Sequence, residues 1–195
     1  MVIITGGIGA GKSIVSRVLR LNSFPVFDCD FAAKEIMASS GVIKEFITNE
    51  FGKDHLDGRG EINKEKLRNS IFKNQIGREH LNRIVHREVR KEIETFAEAT
   101  QGAGFIESAI PHTGGLLPYA DEVWIVNASE AVRMERVKNR SALEPEVIKG
   151  IMNSQQEEID AVIRSGKVIK HIENDDESDL MKEIICLLDQ KRLNL

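Results

Sequence analysis

The sequence of 195 residues contains little cysteine and proline and no long apolar segment. The two cysteines, Cys29 and Cys186, lie far apart, and neither they nor the five histidines have the spacing of a zinc site. This scarcity predicts a reduced, cytoplasmic protein without a disulfide framework. No apolar stretch approaches the ~20 residues that a membrane-spanning helix needs, and Gly6 interrupts the first apolar run.

The charge balance does not favour a nucleic-acid partner. The formal net charge is −4, and aromatic side chains make up only 5% of the residues. Without a strong positive field to attract a phosphate backbone, we expect a small-molecule substrate and neither nucleic acid nor membrane as partner. The length suits one domain, residues 1–195, and the sequence leaves the oligomeric state open between a monomer and a small homo-oligomer.

A glycine-rich segment follows the apolar residues 2–4 and has the Walker A pattern G-x-x-x-x-G-K-S. Its members are Gly6, Gly7, Ile8, Gly9, Ala10, Gly11, Lys12 and Ser13. Between a buried strand and a helix N-terminus, successive N–H groups of such a loop converge on phosphate oxygens. We expect Lys12 to reach the β- and γ-phosphates and the Ser13 hydroxyl to bind Mg²⁺, so the chain should bind a nucleoside triphosphate.

Short apolar runs alternate with helical segments along the chain, as in a parallel sheet covered by helices. The predicted fold is α/β, a three-layer sandwich of the P-loop NTPase type around a parallel five-stranded sheet. The predicted strands cover residues 2–5, 24–27, 104–106, 122–126 and 167–172. Asp28, Asp30 and Glu107 follow the second and third strands, and ligands of such sheets bind beyond the carboxyl ends of strands.

Two segments interrupt this alternation. Residues 40–100 are charged and mostly helical by pattern, and we expect this insertion after the second strand to hold a second substrate. Within it, Ile84, Val85, Val89 and Ile93 recur at helical spacing and predict a packing face. Residues 140–165 follow a helix and could form a mobile lid over the phosphates.

Three classes of P-loop protein compete for this pattern. A GTP switch would need D-x-x-G after an apolar strand and N-K-x-D later, but residues 57–60 lack the strand and Lys66 replaces the acid. A motor would show a longer strand ending in a magnesium-binding acid, whereas the third strand ends in a lone Glu107. A small-molecule kinase fits best, because it needs a carboxylate near the acceptor hydroxyl, cations on the migrating phosphoryl group and a cover against water.

Asp30 is the candidate general base, and the alternative is that it caps a helix beginning at Phe31. Candidate cations lie on the helix after the fourth strand, where an arginine recurs at i, i+3 and i+7. These are Arg133, Arg136 and Arg140. Such a stripe can equally be a solvated charged face. Asn127 and Glu130 have the spacing of a capping pair at the start of that helix.

Residues 5–13, the strand ending in Asp28-Cys29-Asp30 and several later motifs form an ordered set through nearly the whole chain. This set resembles the dephospho-coenzyme A kinases, and its first two members resemble the opening of that family. Further similarities lie at residues 51–52, 57–58, 67–72, 81–86 and 126–140, and at Gln155 and Asn174. The phosphate loop alone is shared with other small kinases, so the order of the motifs carries the resemblance.

The resemblance implies transfer of the γ-phosphoryl group of ATP to the ribose 3′-hydroxyl of dephospho-coenzyme A, the last step of coenzyme A synthesis, with Mg²⁺. By this resemblance Asp30 is the general base, while Lys12 and Arg140 stabilise the transferring charge. It also favours Arg136 as a nucleotide-binding residue. We assign Asp28, His86 and Glu107 to substrate binding.

The chain departs from the family at several points. Arg87 follows His86 where proline is usual, and residues 111–113 replace the usual aromatic-acid pair. Ser141 stands where an aspartate commonly follows the lid arginine, and the late A-D-x-V-I signature is blurred at residues 166–169. These changes concern acceptor recognition and lid closure more than phosphate binding. They leave open a relaxed acceptor preference or low activity. The alternative interpretations are a P-loop kinase for another nucleoside or small alcohol, and a nucleotide-binding protein that has lost turnover.

Overall fold

Five parallel β-strands form one sheet in the computed structural model, which describes residues 1–176 and 178–192. The strands are β1 (Val2–Thr5), β2 (Val26–Asp28), β3 (Phe105–Glu107), β4 (Glu122–Asn127) and β5 (Val168–Glu173). Their spatial order is β2-β3-β1-β4-β5, and each neighbouring pair is parallel. The predicted α/β class with five parallel strands is therefore confirmed.

The helices are numbered α1 to α8 in chain order. They are α1 (Lys12–Leu21), α2 (Cys29–Ser39), α3 (Gly41–Phe51), α4 (Lys64–Lys73), α5 (Gln75–Ala99), α6 (Glu130–Arg140), α7 (Pro145–Ile163) and α8 (Leu180–Arg192). Short 3₁₀ turns cover Lys53–His55 and Leu117–Tyr119. By their contacts the described residues form two compact units, a sheet unit from residues 1–28 with the residues after Ala99, and a helical unit from Cys29–Ala99.

The core of the sheet unit is apolar on both faces of the sheet. All four residues of β1 are buried, as expected for a central parallel strand covered on both sides. Phe105 lies between two aromatic neighbours, with ring centroids 5.6 Å from Phe24 and 5.2 Å from Trp124, both edge-on. From α1, Val15 and Leu19 complete this core at helical spacing. The apolar spacing of α1 thus fixes how the helix after the phosphate loop is oriented.

The helical unit is organised around the 25-residue helix α5. Of the predicted packing face, Val85, Val89 and Ile93 are buried, whereas Ile84 is only partly covered. On α3, Ile43 and Ile47 are fully buried one turn apart. Contacts of α5 with α2, α3 and α4 hold the unit together.

The GTPase-like residues have local structural roles. Asp57 Oδ1 accepts hydrogen bonds from Arg59 N at 2.8 Å and Glu61 N at 2.9 Å, which closes a turn. Asn63 is the N-cap of α4, and its side chain accepts from Lys66 N at 3.0 Å. Both fragments of the GTPase pattern are thereby explained by turn and cap chemistry.

Two local predictions about helix starts are wrong. The helix after β4 begins at Glu130 with Ser129 as N-cap, whereas Asn127 is the last residue of β4 and donates from Nδ2 to Glu173 at 2.8 Å. The alternative role of Asp30 as a cap before Phe31 also fails, because α2 already begins at Cys29. In the first case β4 extends through Asn127, so α6 begins later than the capping pair predicted. In the second case α2 begins directly after β2, earlier than predicted.

Candidate active site

The phosphate loop joins the carboxyl end of β1 to the N-terminus of α1, at the centre of the sheet. Two of its glycines are required by their surroundings. Gly6 has φ +149°, and a Cβ there would lie 2.3 Å from Val126 O. Gly11, the N-cap of α1, has φ +101°, and its Cβ would lie 2.1 Å from Asn174 Nδ2. The loop before α1 therefore admits no side chain at these two positions.

Lys12 lies folded over this loop. Its Nζ donates to Gly6 O at 2.8 Å and approaches Gly7 O at 3.3 Å. The ammonium is partly buried there, while the neighbouring Ser13 side chain is exposed at the first turn of α1. The arrangement places a positive charge and a hydroxyl at the positive end of the helix dipole, where an anion is stabilised.

Asn174, directly after β5, holds the phosphate loop by a side-chain hydrogen bond. Its Nδ2 donates to Ala10 O at 2.7 Å, across 164 residues of sequence, and its side chain is buried. Its own carbonyl accepts from Arg136 Nη1 at 2.8 Å, and Arg136 Nη2 lies 3.3 Å from Asp176 Oδ1. Arg136, assigned to nucleotide binding, is thus joined to the loop through Asn174.

Arg133 lies against the glycines themselves. A Cβ on Gly7 would be 2.6 Å from its Nη1, and a Cβ on Gly9 would be 2.6 Å from its backbone oxygen. Burial lowers the pKa of the Arg133 guanidinium, and the charge of Glu130 opposes this shift. Its Nε is buried and has no hydrogen-bond partner in the described part of the chain. The arginine stripe of α6 is therefore more than a solvated face at this residue.

Helix α7 contributes two polar side chains that lie one turn apart. Gln155 Oε1 accepts from Ile8 N at 2.5 Å, so one N–H of the phosphate loop is bonded to this helix. Glu158 is buried and accepts from His112 N and Thr113 N, each at 3.0 Å, and from Thr113 Oγ1. The segment after β3 that departs from the family pattern is thus held by a carboxylate from α7.

The role of Glu158 was missed by the sequence analysis, although the sequence carries a signal for it. On α7 the buried positions are Ile148, Met152, Glu158 and Val162. A glutamate one turn before Val162 on this apolar stripe must find hydrogen-bond donors, because a buried charge without partners is costly. A charged residue at a core position of a helix is therefore a pointer to a fixed polar contact.

Two carboxylates lie at the carboxyl ends of neighbouring strands, Asp28 on β2 and Glu107 on β3, in register with each other. Burial raises the pKa of Glu107, and the negative charge of Asp28 adds to the rise. Ser16, Lys12 and Arg20 act in the opposite direction. Ser16 lies close to Glu107, yet Ser16 Oγ and Glu107 Oε2 do not reach hydrogen-bond geometry with any described residue.

The remaining site candidates lie elsewhere in the chain. Asp30 is exposed in the first turn of α2, and His86 is partly buried on α5, so both belong to the helical unit. Arg140 is the exposed last residue of α6. The sheet unit brings together Lys12, Asp28 and Glu107 with the glycine loop, and α6 contributes Arg136 to the same unit.

A phosphate-binding loop at the centre of a five-stranded parallel sheet, with carboxylates at the ends of adjacent strands, defines a P-loop kinase. Residues 1–179 match the family model described as dephospho-CoA kinase. A dephospho-CoA kinase of Colwellia psychrerythraea is 31% identical over 98% of this chain and 95% of its own length. The chain belongs to the dephospho-CoA kinase family.

A second relative agrees with this assignment, and a solved structure shares the fold. A dephospho-CoA kinase of Porphyromonas gingivalis is 36% identical over 80% of this chain and 77% of its own length. The solved dephospho-CoA kinase of Campylobacter jejuni has the same fold, with a TM-score of 0.72 at 18% identity, covering 100% of this chain and 98% of its own.

The predicted activity is thereby confirmed at the level of the family. The protein is a transferase of coenzyme A biosynthesis that uses ATP to phosphorylate dephospho-CoA, a small molecule. Among the described residues, no helix combines the length and the apolar character that crossing a membrane requires.

Proposed function

We propose that this chain transfers the γ-phosphoryl group of ATP to the ribose 3′-hydroxyl of dephospho-CoA with Asp30 as general base and the glycine loop as the ATP site. The observation that carries the proposal is the loop itself. Its glycines have conformations and surroundings that exclude side chains, and Lys12 Nζ lies 2.8 Å from Gly6 O at its mouth. Such a loop binds the phosphates of a nucleotide through backbone N–H groups.

The cations of the sheet unit have complementary roles in this proposal. Lys12 leaves the loop carbonyls and binds the β- and γ-phosphates, and Arg140 at the end of α6 stabilises the charge of the phosphoryl group in transfer. Arg136 binds the nucleotide from α6, where its bond to Asn174 O fixes its position. A transition state with charge spread over three oxygens gains most from cations that are already held in place.

Asp30 accepts the proton of the 3′-hydroxyl as the new oxygen–phosphorus bond forms. Its carboxylate is exposed in the first turn of α2 and is therefore accessible to an acceptor hydroxyl. Asp28, His86 and Glu107 bind the acceptor, and residues 40–100 provide the surface for it. We further propose that residues 140–165 act as a lid, since α7 already bonds the phosphate loop through Gln155.

Mg²⁺ fits the residues of this site. No group of three or more His, Cys, Asp or Glu in the described residues could hold a metal ion by itself. Mg²⁺ in kinases is held by few protein ligands together with substrate phosphates, and the exposed Ser13 hydroxyl is the protein ligand available here. Near Lys12 and Asp28, Glu107 Oε2 has no hydrogen-bond partner in the described residues and is a further oxygen that can accept a bond. When bound, the ion would neutralise charge on the β- and γ-phosphates.

Two further expectations belong to this proposal. The reduced cysteines and the substrate class favour a cytoplasmic protein. A single chain contains all of the proposed site residues, so a monomer or a small homo-oligomer is sufficient for activity.

The test is to incubate the pure protein with Mg·ATP and dephospho-CoA and to follow both ADP and coenzyme A. We expect ADP formation that depends on the acceptor, with the new phosphate on the 3′-oxygen. Asp30→Asn should lower kcat by about 10²- to 10⁴-fold and leave the affinity for ATP unchanged. Glu35→Gln, at an exposed position of the same helix, is the matched control.

The outcomes separate the alternatives. ADP that forms only with other nucleosides or small alcohols would give the chain a different acceptor. Tight ATP binding without turnover would leave it a nucleotide-binding protein. An Asp30→Asn variant as fast as the Glu35→Gln control would remove Asp30 from the mechanism.

A further inference from the structure

A pocket of about 400 Å³ lies between α3 and α5, within the helical unit. Its volume falls in the range of small-molecule sites. No acidic side chain of the described residues lines it, and most of its lining is basic. The lining consists of Phe46 on α3 and of His80, Arg83, Ile84, Arg87 and Arg90 on α5. The pocket therefore combines positive charge with a small apolar surface.

Two unexpected residues of α5 meet at this pocket. Ile84 has the spacing of a packing residue, yet it is only partly covered and lines the pocket. Arg87 stands where the related kinases usually have proline, and here it lies inside one continuous helix. Because an arginine has a backbone N–H and proline has none, α5 passes this position unbroken. The departure from the family pattern thus adds a cation to the pocket.

The arginines of the pocket have donors that the fold leaves unused. Arg83 is exposed and forms no hydrogen bond or ion pair with any residue that the structure describes. Arg87 donates from Nε to Glu88 Oε1 at 3.0 Å, and its two terminal nitrogens have no partner in the described part of the chain. Glu88 also pairs with Lys91 at 3.0 Å, so one carboxylate is shared by two cations. Guanidinium groups with unused N–H donors bind phosphate oxygens in pairs.

The spacing along α5 suits a ligand with linked phosphates. The basic residues of the lining recur at i, i+3, i+7 and i+10, so they lie on one face of the helix. Arg83 and Arg87 are one turn apart, about 6 Å along the helix axis. Two long cationic side chains at this separation can bind the same diphosphate from both sides.

The aromatic ring at the pocket favours a nucleotide over other anions. Phe46 is partly buried, and its ring lies edge-on to that of Phe51 with the centroids 6.2 Å apart, which limits its movement. A nucleic base stacks on such a ring, whereas the carboxylates of an acidic peptide have no flat apolar face to place there. Ile84 extends the apolar surface beside the cations.

We infer that this pocket is a second nucleotide-binding site, with the phosphates of a nucleoside diphosphate or triphosphate on Arg83 and Arg87 and the base on Phe46 and Ile84. His80 and Arg90 line the pocket as further donors. The glycine loop belongs to the sheet unit, whereas every residue of this pocket belongs to the helical unit. The second site is therefore independent of the proposed function.

Calorimetric titration of the full chain with ADP tests this inference. We expect two binding events per chain, a tighter one at the glycine loop and a weaker one at the pocket. The double variant Arg83→Gln/Arg87→Gln should weaken the second event at least tenfold, because each charge-assisted bond to a phosphate contributes about that factor. It should leave the first event unchanged. Lys12→Ala should have the reverse effect.

A control with the same change in net charge is available nearby. Lys73 and Arg78 are exposed and lie outside the lining, so Lys73→Gln/Arg78→Gln should change neither binding event. Raising the salt concentration should weaken the second event in the control as it does in the unchanged protein. Thermal unfolding of every variant shows whether the fold is retained.

Inorganic pyrophosphate separates a nucleotide site from a site for phosphate alone. Phe46→Leu keeps an apolar side chain but removes the ring. In this variant the second event should bind ADP about fivefold or more weakly, because the stacking of the base is lost. The affinity of the pocket for pyrophosphate, which has no base, should stay the same.

Three results have distinct meanings. A single ADP per chain, lost in Lys12→Ala, would overturn the inference, and so would a second event that the arginine variant leaves intact. Equal affinities for ADP and pyrophosphate, both unaffected by Phe46→Leu, would contradict a nucleotide as the ligand. Loss of the event at the glycine loop alone, with the arginine-dependent event retained, would count against the proposed function and leave the second site standing.

Discussion

The phosphate loop and the helical unit are held by contacts of very different range. At the loop, Asn174 bonds Ala10 across 164 residues and Gln155 bonds Ile8 across 147. In the helical unit the corresponding polar contacts are local, such as His55 Nε2 to Ser70 Oγ at 2.8 Å across 15 residues. Distant segments thus converge on the loop, whereas the helical unit closes its polar contacts within one or two elements.

This difference follows from what each region has to do. A loop that binds phosphate through backbone N–H groups needs those groups in place before the ligand arrives. Its glycines would otherwise have many conformations, so the surrounding side chains must hold it. The helical unit obtains its shape from apolar stripes on its helices. The comparison predicts that a substitution in the phosphate loop lowers the stability more than the same substitution in the helical unit.

The largest contrast is expected between Gly11→Ala and Gly60→Ala. Both glycines have positive φ, +101° and +77°, so alanine strains either backbone by about 1–2 kcal/mol. At Gly11 the new Cβ would lie 2.1 Å from Asn174 Nδ2, whereas nothing lies within 4 Å at Gly60. The Gly11 variant should also lose the Asn174 bond to Ala10 O, which costs about 1–3 kcal/mol more. Thermal unfolding measures both variants.

Nucleotide binding sharpens this contrast. We expect the Gly11 variant to lose ATP affinity in calorimetric titration, while the Gly60 variant keeps it. Equal losses of stability in the two variants would show that Asn174 does not hold the loop, and the contrast between the two regions would then disappear.

Much of the fold was predictable because its signals are local. The apolar run before the glycines predicted β1 at the residues where it lies, and the alternation of strands and helices predicted the parallel sheet. Errors occur at element ends. Asn127 continues β4 because β5 pairs with it through Glu173, a neighbour 46 residues away that no capping pattern contains. Helix starts next to strands therefore depend on the sheet and not on the local sequence alone.

The site was predictable only in part, for the same reason. The loop, Lys12 and the strand-end acids Asp28 and Glu107 follow from sequence position. The contact of Arg133 with Gly7 and the bonds of Glu158 to residues 112–113 could not be predicted, since each joins elements that meet only in the folded chain.

Glu158 offers the next test of long-range contacts in the sheet unit. Glu158→Ala removes the acceptor for His112 N, Thr113 N and Thr113 Oγ1, and it should destabilise the fold by about 1–3 kcal/mol. Because the freed segment follows β3, we also expect a higher KM for dephospho-CoA with a smaller change in the KM for ATP. The measurements are thermal unfolding and two-substrate kinetics.

Glu157→Ala is the matched control, because Glu157 is exposed on the same helix. If both alanine variants unfold at the same temperature and keep the same KM values, Glu158 contributes nothing, and the segment after β3 is held by its own turns. Recovery of stability in Glu158→Gln would show that one carbonyl oxygen is sufficient for these bonds.

The smallest expected effect on stability is that of Glu107→Gln. It is an increase, whereas the other variants should lower the stability. The pKa of Glu107 is raised by burial and by Asp28, so the folded protein binds this proton more tightly than the unfolded chain does. Stability should therefore fall as the pH rises from the ordinary glutamate range through the raised pKa, and stay lower above it. Glu107→Gln removes this dependence. At about pH 7 its melting temperature should therefore rise above that of the unchanged protein.

The same variant should lose activity, because the carboxylate that burdens the fold is the one assigned to the acceptor. A gain in stability together with a loss in kcat/KM is the expected mark of a group retained for function. Glu173→Gln, at the exposed end of β5, keeps a carbonyl oxygen for the bond from Asn127 Nδ2 and should change neither quantity. A lower melting temperature for Glu107→Gln at about pH 7 would mean that its charge is compensated in the folded protein. The carboxylates at the ends of β2 and β3 would then be as well compensated by their neighbours as the polar side chains of the helical unit are.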